Sequence, residues 1–84
     1  MKYSVLITRQ AQKELAEIPL IAYGQIKNCI FQLEDNPRPP DCVKLTTRKA
    51  YRIRIRKYRV IYEIDDAKKT VTILHIGHRR DIYK

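Results

Sequence analysis

Glycine and cysteine are both scarce in this 84-residue chain, at 2 residues each. So few glycines exclude a collagen-like repeat. With 44% hydrophobic and 32% charged residues, the composition is that of one globular domain over residues 1–84, not of a disordered tail. Cys29 and Cys42 are too few for a disulfide scaffold. They form no CxxC and have no spaced histidine partners, so neither a zinc site nor any other metal or cofactor is expected. They read as semi-buried filler with reduced thiols, which points to the cytoplasm. No apolar run approaches the ~20 residues of a membrane span. The stretch at residues 5–7 is too short for the ~7–15-residue core of a signal peptide. Repeats and low-complexity segments are absent, and so are paired carboxylates and nucleophilic triads. Glu63 and Asp81 are isolated, and Asp65 and Asp66 read as turn residues.

Basic charge is abundant. Lys and Arg number 18 against 9 Asp and Glu, a formal net charge of +9. Residues 1–42 hold five bases and five acids, so the whole excess falls in residues 43–84. Segregation on this scale predicts an anionic partner.

Periodicity places this charge. Residues 3–7 suit a first strand. Thr8 stands at an N-cap position, and Ala11, Leu15 and Ile18 form one helical stripe. Pro19 ends that helix and can open the next. The second helix has its stripe at Ala22, Ile26, Cys29, Ile30 and Leu33, and the two helices form a hairpin. Asn36-Pro37-Arg38-Pro39-Pro40 stops the second helix. After a weak extended piece at residues 43–45 the period changes to 2. Tyr51, Ile53 and Ile55 face one side, with Arg52, Arg54 and Arg56 on the other. In the next run Tyr58, Val60, Tyr62 and Ile64 share a face, opposite Arg59, Ile61 and Glu63. Residues 65–69 form a hairpin turn, residues 70–76 a third run, and Gly77 breaks it. The fold class is α+β in the order β-α-α-β-β-β, with a two-helix hairpin on one face of a small, mainly antiparallel sheet.

The opposite face then presents arginines to solvent. Guanidinium forks suit phosphate oxygens, and the interleaved tyrosines offer stacking surfaces for bases. Any one of these arginines alone is explained as well by solvation and by protection against edge-to-edge pairing. The segregated set favours the phosphate reading. His75, inside an apolar run, reads as structural. His78, just past Gly77, can titrate near neutrality. Such residues can assist attack of an RNA 2′-hydroxyl on its own phosphate without a metal.

Three segments, Tyr51-Arg52-Ile53-Arg54-Ile55, Tyr58-Arg59-Val60-Ile61-Tyr62-Glu63-Ile64 and Ile76-Gly77-His78-Arg79-Arg80-Asp81-Ile82-Tyr83, resemble the RelE/ParE toxin superfamily. The resemblance implies the toxin of a type II toxin–antitoxin pair, of the RelE-like kind that cuts translated mRNA in the ribosomal A site. It implies catalytic roles for Arg52, Arg54, Arg59, Arg79 and Tyr83. Arg59 and Arg79 would stabilise the scissile phosphate, Arg79 would also assist the leaving oxygen, and Tyr83 would stack on, or orient, the base. Arg52 and Arg54 stand where RelE has lysines. Arginine is a poor proton acceptor, so His78 becomes the candidate base. Arg48, Lys49, Arg56, Lys57 and Arg80 extend the surface for RNA and the ribosome. The implied partners are a RelB-like antitoxin with an acidic or amphipathic segment, the ribosome with mRNA, and operator DNA only through the antitoxin complex; no membrane is involved. Two other functions stay open: a ParE-like inhibitor of DNA gyrase, and a non-catalytic toxin that serves with its antitoxin as an operon repressor.

Overall fold

The computed structural model describes residues 2–45 and 50–78. Its elements are β1 (Ser4–Ile7), α1 (Arg9–Ala16), α2 (Leu20–Gln32), β2 (Val43–Lys44), β3 (Tyr51–Ile55), β4 (Tyr58–Asp65) and β5 (Thr70–His78). The described strands form one sheet in the order β1-β5-β4-β3-β2. The β2–β3, β3–β4 and β4–β5 pairs are antiparallel, and β1 lies parallel to β5. The α+β order expected from periodicity is therefore found, and the weak extended piece at residues 43–45 becomes a two-residue edge strand. No described helix is long and apolar enough to cross a membrane.

Local chemistry sets the helix boundaries. Thr8 has extended backbone angles, and its Oγ1 accepts the Ala11 N–H at 3.1 Å. This satisfies a donor that the first turn of α1 would otherwise leave orphaned. Ala11 and Leu15 are buried, and Ile18 packs beside them. Pro19 is the N-cap of α2 and not its first helical residue, so that cap has no side-chain hydrogen bond. Ala22, Ile26, Ile30 and Leu33 are the buried stripe of α2, with Cys29 half-buried. Both cysteines are free thiols, and burial pushes the Cys29 thiol above its ordinary pKa.

The helical stripes meet one face of the sheet, at Ile53, Val60, Tyr62, Val71, Ile73 and Ile76. Tyr62 is the largest fully buried side chain. Its hydroxyl donates to the Pro37 carbonyl at 2.8 Å, which ties the proline-rich connector to the sheet. Arg38 in the same connector grips both carboxylate oxygens of Asp66, at 3.1 and 2.8 Å, and donates through Nε to the Tyr51 hydroxyl. Tyr3 donates to Asp66 at 2.6 Å. These bonds, Arg38 foremost, hold the Asp66 carboxyl down at about 2.

Two expectations need correcting, at Gly77 and at Arg56. Gly77 does not end the third run; β5 continues through it to His78, because β4 still supplies partners at Arg59 and Tyr58. A bulge in the β4–β5 pairing separates Ile61↔His75 from Tyr62↔Ile73, leaving Leu74 extra. One extra residue reverses the alternation beyond it, so Ile73 and Ile76 both face the helices. Arg56 lies in the tight turn after β3, not on the strand, with φ at 55°.

Candidate functional site

Strand register builds the site. Arg54 lies opposite Arg59, and Arg59 opposite Gly77, a row crossing three strands. In the next row on the same face, Arg52 lies opposite Ile61, and Ile61 opposite His75. The row between them, Ile53–Val60–Ile76, is buried under the helices. Alternation turns the two arginine rows to the far side of the sheet.

This face is only partly open. Arg54 is exposed and Arg52 half-buried, but Arg59 and Ile61 each keep only 3% of their surface. Arg59 was expected to be presented to solvent; the structure sinks it into the middle of the face. Removal from water strengthens the field of its guanidinium and restricts its orientation. Arg54 and Arg59 are also in direct register, where Cβ atoms lie about 4.5–5.5 Å apart and like charges disfavour each other. An anion placed between such groups relieves that repulsion. Guanidinium groups donate and never accept, so these three side chains can hold anions and not cations. Among the described residues no group of three or more His, Cys, Asp or Glu is gathered to hold a metal ion.

The described strand tyrosines are not on this face. Tyr51 and Tyr62 share a row with Ile73, and Tyr58 shares one with Ile55 and His78, both on the helix side. Tyr51 stacks on Tyr62 with ring centroids 5.8 Å apart. Burial first, then the neighbouring thiols and Tyr51, push the Tyr62 phenol above its ordinary pKa. The strand tyrosines are therefore core and support residues, not stacking platforms beside the arginines.

The two histidines lie on opposite faces of the sheet. His78, the expected base, is directly opposite Tyr58, with its ring edge-on to the tyrosine at 6.0 Å. It lines a cleft of about 300 Å³ with Gln10, Glu14, Glu17, Ile18, Ile76 and Gly77, on the helix side of the sheet. It is set apart from Arg52, Arg54 and Arg59, because β5 keeps alternating through Gly77. His75, read from the sequence as structural, occupies the Arg52–Ile61 row, with 45% of its side chain exposed.

Arg56 is also displaced from the arginine face. Its Nε donates to Gln25 Oε1 on α2 at 2.6 Å. Lys57 is exposed in the same turn. Arg48, Lys49, Arg79, Arg80 and Tyr83 lie outside the described residues.

One residue that sequence patterning passed over is Glu14. Beyond Ile73, β5 has no strand partner on the β1 side, and α1 closes this edge with side chains. Thr8 Oγ1 donates to the Leu74 carbonyl at 3.3 Å, and Glu14 Oε1 accepts the Ile76 N–H at 2.9 Å. The same oxygen lies 3.7 Å from His75 Nδ1. Glu14 belongs to the polar stripe of its helix, and no local pattern distinguishes it from Gln10 or Glu17.

Comparison with known proteins gives a consistent picture. Residues 5–83 match the family described as "ParE toxin of type II toxin-antitoxin system, parDE". The chain is 33% identical to Toxin RelG of Mycobacterium tuberculosis, over 100% of this chain and 99% of that protein. Among solved structures it is similar to the archaeal RelE–RelB complex from Pyrococcus horikoshii. That match has 33% identity and a TM-score of 0.84, covering 94% of this chain and 97% of the other. The toxin–antitoxin complex RelBE2 from Mycobacterium tuberculosis matches with a TM-score of 0.83 at 28% identity, over 94% of this chain and 100% of its own.

Proposed function

The chain belongs to the RelE/ParE superfamily of type II toxins, and from that premise we propose that it is a ribosome-dependent endoribonuclease. It cuts translated mRNA in the A site through attack of the RNA's own 2′-hydroxyl. The observation that carries this reading is the gathering of Arg52, Arg54 and Arg59 on one sheet face, with Arg59 sunk into its middle. A phosphodiester undergoing this attack gains charge on its non-bridging oxygens, and fixed guanidiniums stabilise that charge. Arg59 takes the scissile phosphate, and Arg52 and Arg54 hold the flanking backbone. Arg79 shares the developing charge near the leaving oxygen, and Tyr83 stacks on the base. Arg48, Lys49, Lys57 and Arg80 extend the contact to RNA and the ribosome; Arg56 contributes less, being tied to Gln25. The ribosome supplies the in-line orientation that so small a protein lacks.

In this reading the partner that silences the toxin is a RelB-like antitoxin. Its acidic stretch covers the arginine face, and its apolar side chains cover the exposed Leu20, Ile21 and Phe31 of α2. Operator DNA is reached only through that complex.

The reading is tested with ribosomes programmed with a defined codon in the A site. Wild-type protein is expected to cut within that codon, leaving a 2′,3′-cyclic phosphate and a 5′-hydroxyl. Arg79→Ala and Tyr83→Ala are expected to lose cleavage and toxicity while retaining antitoxin binding. Equal toxicity of both variants contradicts the site. Intact mRNA, together with accumulated cleaved DNA–gyrase complexes, moves the assignment to gyrase.

A further inference from the structure

We propose that His75, oriented by Glu14, accepts the 2′-hydroxyl proton in this cleavage. The inference rests on the endoribonuclease reading and fills a gap in it, since the arginines are poor proton acceptors and His78 stands on the other face.

Three observations converge on His75. Its register partner is Ile61, so it belongs to the arginine face, and Arg59 is its diagonal neighbour on β4. Diagonal positions lie about 7–8 Å apart, within reach of long and aromatic side chains. A phosphate held by Arg59 is therefore within side-chain reach of the imidazole. Second, 45% of the His75 side chain is exposed, so a substrate hydroxyl can approach. Third, Nδ1 lies 3.7 Å from Glu14 Oε1, and that carboxylate is itself fixed by the Ile76 N–H at 2.9 Å. At 3.7 Å the carboxylate is an ion-pair neighbour and not a hydrogen-bond acceptor, and its charge favours a proton on Nδ1, leaving the Nε2 lone pair for the substrate. The charged groups around the ring are Glu14 from α1, Arg59 on one diagonal of β4, Glu63 on the other beyond the bulge, and Arg52 past Ile61.

In the step, the 2′-oxygen bonds to phosphorus as its proton passes to Nε2. The P–O5′ bond breaks, and the leaving 5′-oxygen takes a proton from water. The products are a 2′,3′-cyclic phosphate and a 5′-hydroxyl, and the imidazolium returns its proton to solvent. Glu14 is a positioning residue: it touches no reacting atom and acts through His75.

The test is single-turnover cleavage on programmed ribosomes across pH, with His75→Ala, His75→Asn, Glu14→Ala and Glu14→Gln. Both His75 variants are expected to slow cleavage about 10²–10⁴-fold, the usual share of a general base, and to lose the limb in which the rate rises with pH. Ribosome affinity is expected to stay within about threefold, the split that marks loss of a transition-state contact. Glu14→Gln keeps an acceptor for the Ile76 N–H but not the charge, so it is expected to fall between wild type and Glu14→Ala. Nitrogen-15 shifts of the free wild-type protein are expected to show the Nδ1–H tautomer of His75. Wild-type rates in both His75 variants, or the Nε2–H tautomer in wild type, overturn the proposal while leaving the endoribonuclease reading standing. Absence of cleavage by wild type itself overturns that reading, and the proposal with it.

Discussion

Tyr62→Phe removes one buried oxygen and nothing else of size. Tyr62 is 0% exposed, and its hydroxyl donates to the Pro37 carbonyl at 2.8 Å. Phenylalanine preserves the stacking on Tyr51 and the packing under α2. What changes is one hydrogen bond and the state of a buried carbonyl, since Pro37 is itself buried. Leaving such a group unsatisfied costs about 1–3 kcal/mol. A domain of this size has a total stability of about 4–13 kcal/mol at 0.05–0.15 kcal/mol per residue, so the variant still folds. Each kcal/mol shifts Tm by about 4–8 °C in a small domain. A calorimetric Tm lowered by about 4–24 °C is therefore expected. Alkaline pH gives a second signature. Burial raises the Tyr62 pKa in the folded state, so the unfolded chain loses that proton first as pH passes about 10. Stability from this group is fully present below pH ~10 and falls by up to about 1.4 kcal/mol per pH unit above it. Tyr62→Phe lacks this contribution and narrows its gap from wild type as pH rises. A gap under about 0.5 kcal/mol at neutral pH, within the scatter of surface substitutions, refutes the connector's dependence on this bond.

Three further outcomes follow from the same geometry. Asp66 is held at about 2 by Arg38 and Tyr3, so its contribution is present above pH ~4, the unfolded carboxylate value, and is lost as pH falls toward 2; acid titration of Asp66→Asn, followed by circular dichroism, is expected to lack that component of the wild-type loss. Gly24→Ala meets nothing within 4 Å of the added methyl and sits inside α2, so thermal melts are expected to show a gain of about 0.5–1 kcal/mol from helix propensity. Arg54→Ala removes a like charge in register with Arg59; it is expected to raise stability by about 0.2–1 kcal/mol while weakening single-stranded RNA binding and flattening its salt dependence, read by fluorescence anisotropy across a salt series.

Much of the fold was legible because it depends on short-range patterns. Thr8 caps, Ala11 and Leu15 lie one helical turn apart, Ile26 and Ile30 repeat that spacing, and Tyr51 to Ile55 alternates. The placement of Arg52, Arg54 and Arg59 on one face follows from the same alternation. What patterning missed depends on partners distant in the chain. The bulge at Leu74 exists only in the β4–β5 pairing, and it reverses the alternation after it, which turns His75 to the arginine face and His78 to the helix side. Gly77 looks like a strand breaker until β4 supplies a residue opposite it. Arg56 has the alternation of β3 but falls in its turn, and Arg38 counted only as a charge until Asp66, 28 residues away, closed on it. Arg59 was legible as a candidate for the site but not as a buried residue, because burial depends on the whole face.

The central claim is that the arginine face acts on mRNA held by the ribosome. Its most direct test is the mapping of mRNA 5′ ends across the transcriptome minutes after induction in cells, comparing wild type with Arg59→Ala. Codon-phased cuts confined to translated frames, present with wild type and absent with Arg59→Ala, are the predicted result. Cuts without codon phase, cuts in untranslated RNA at equal frequency, or intact messages in growth-arrested cells contradict it.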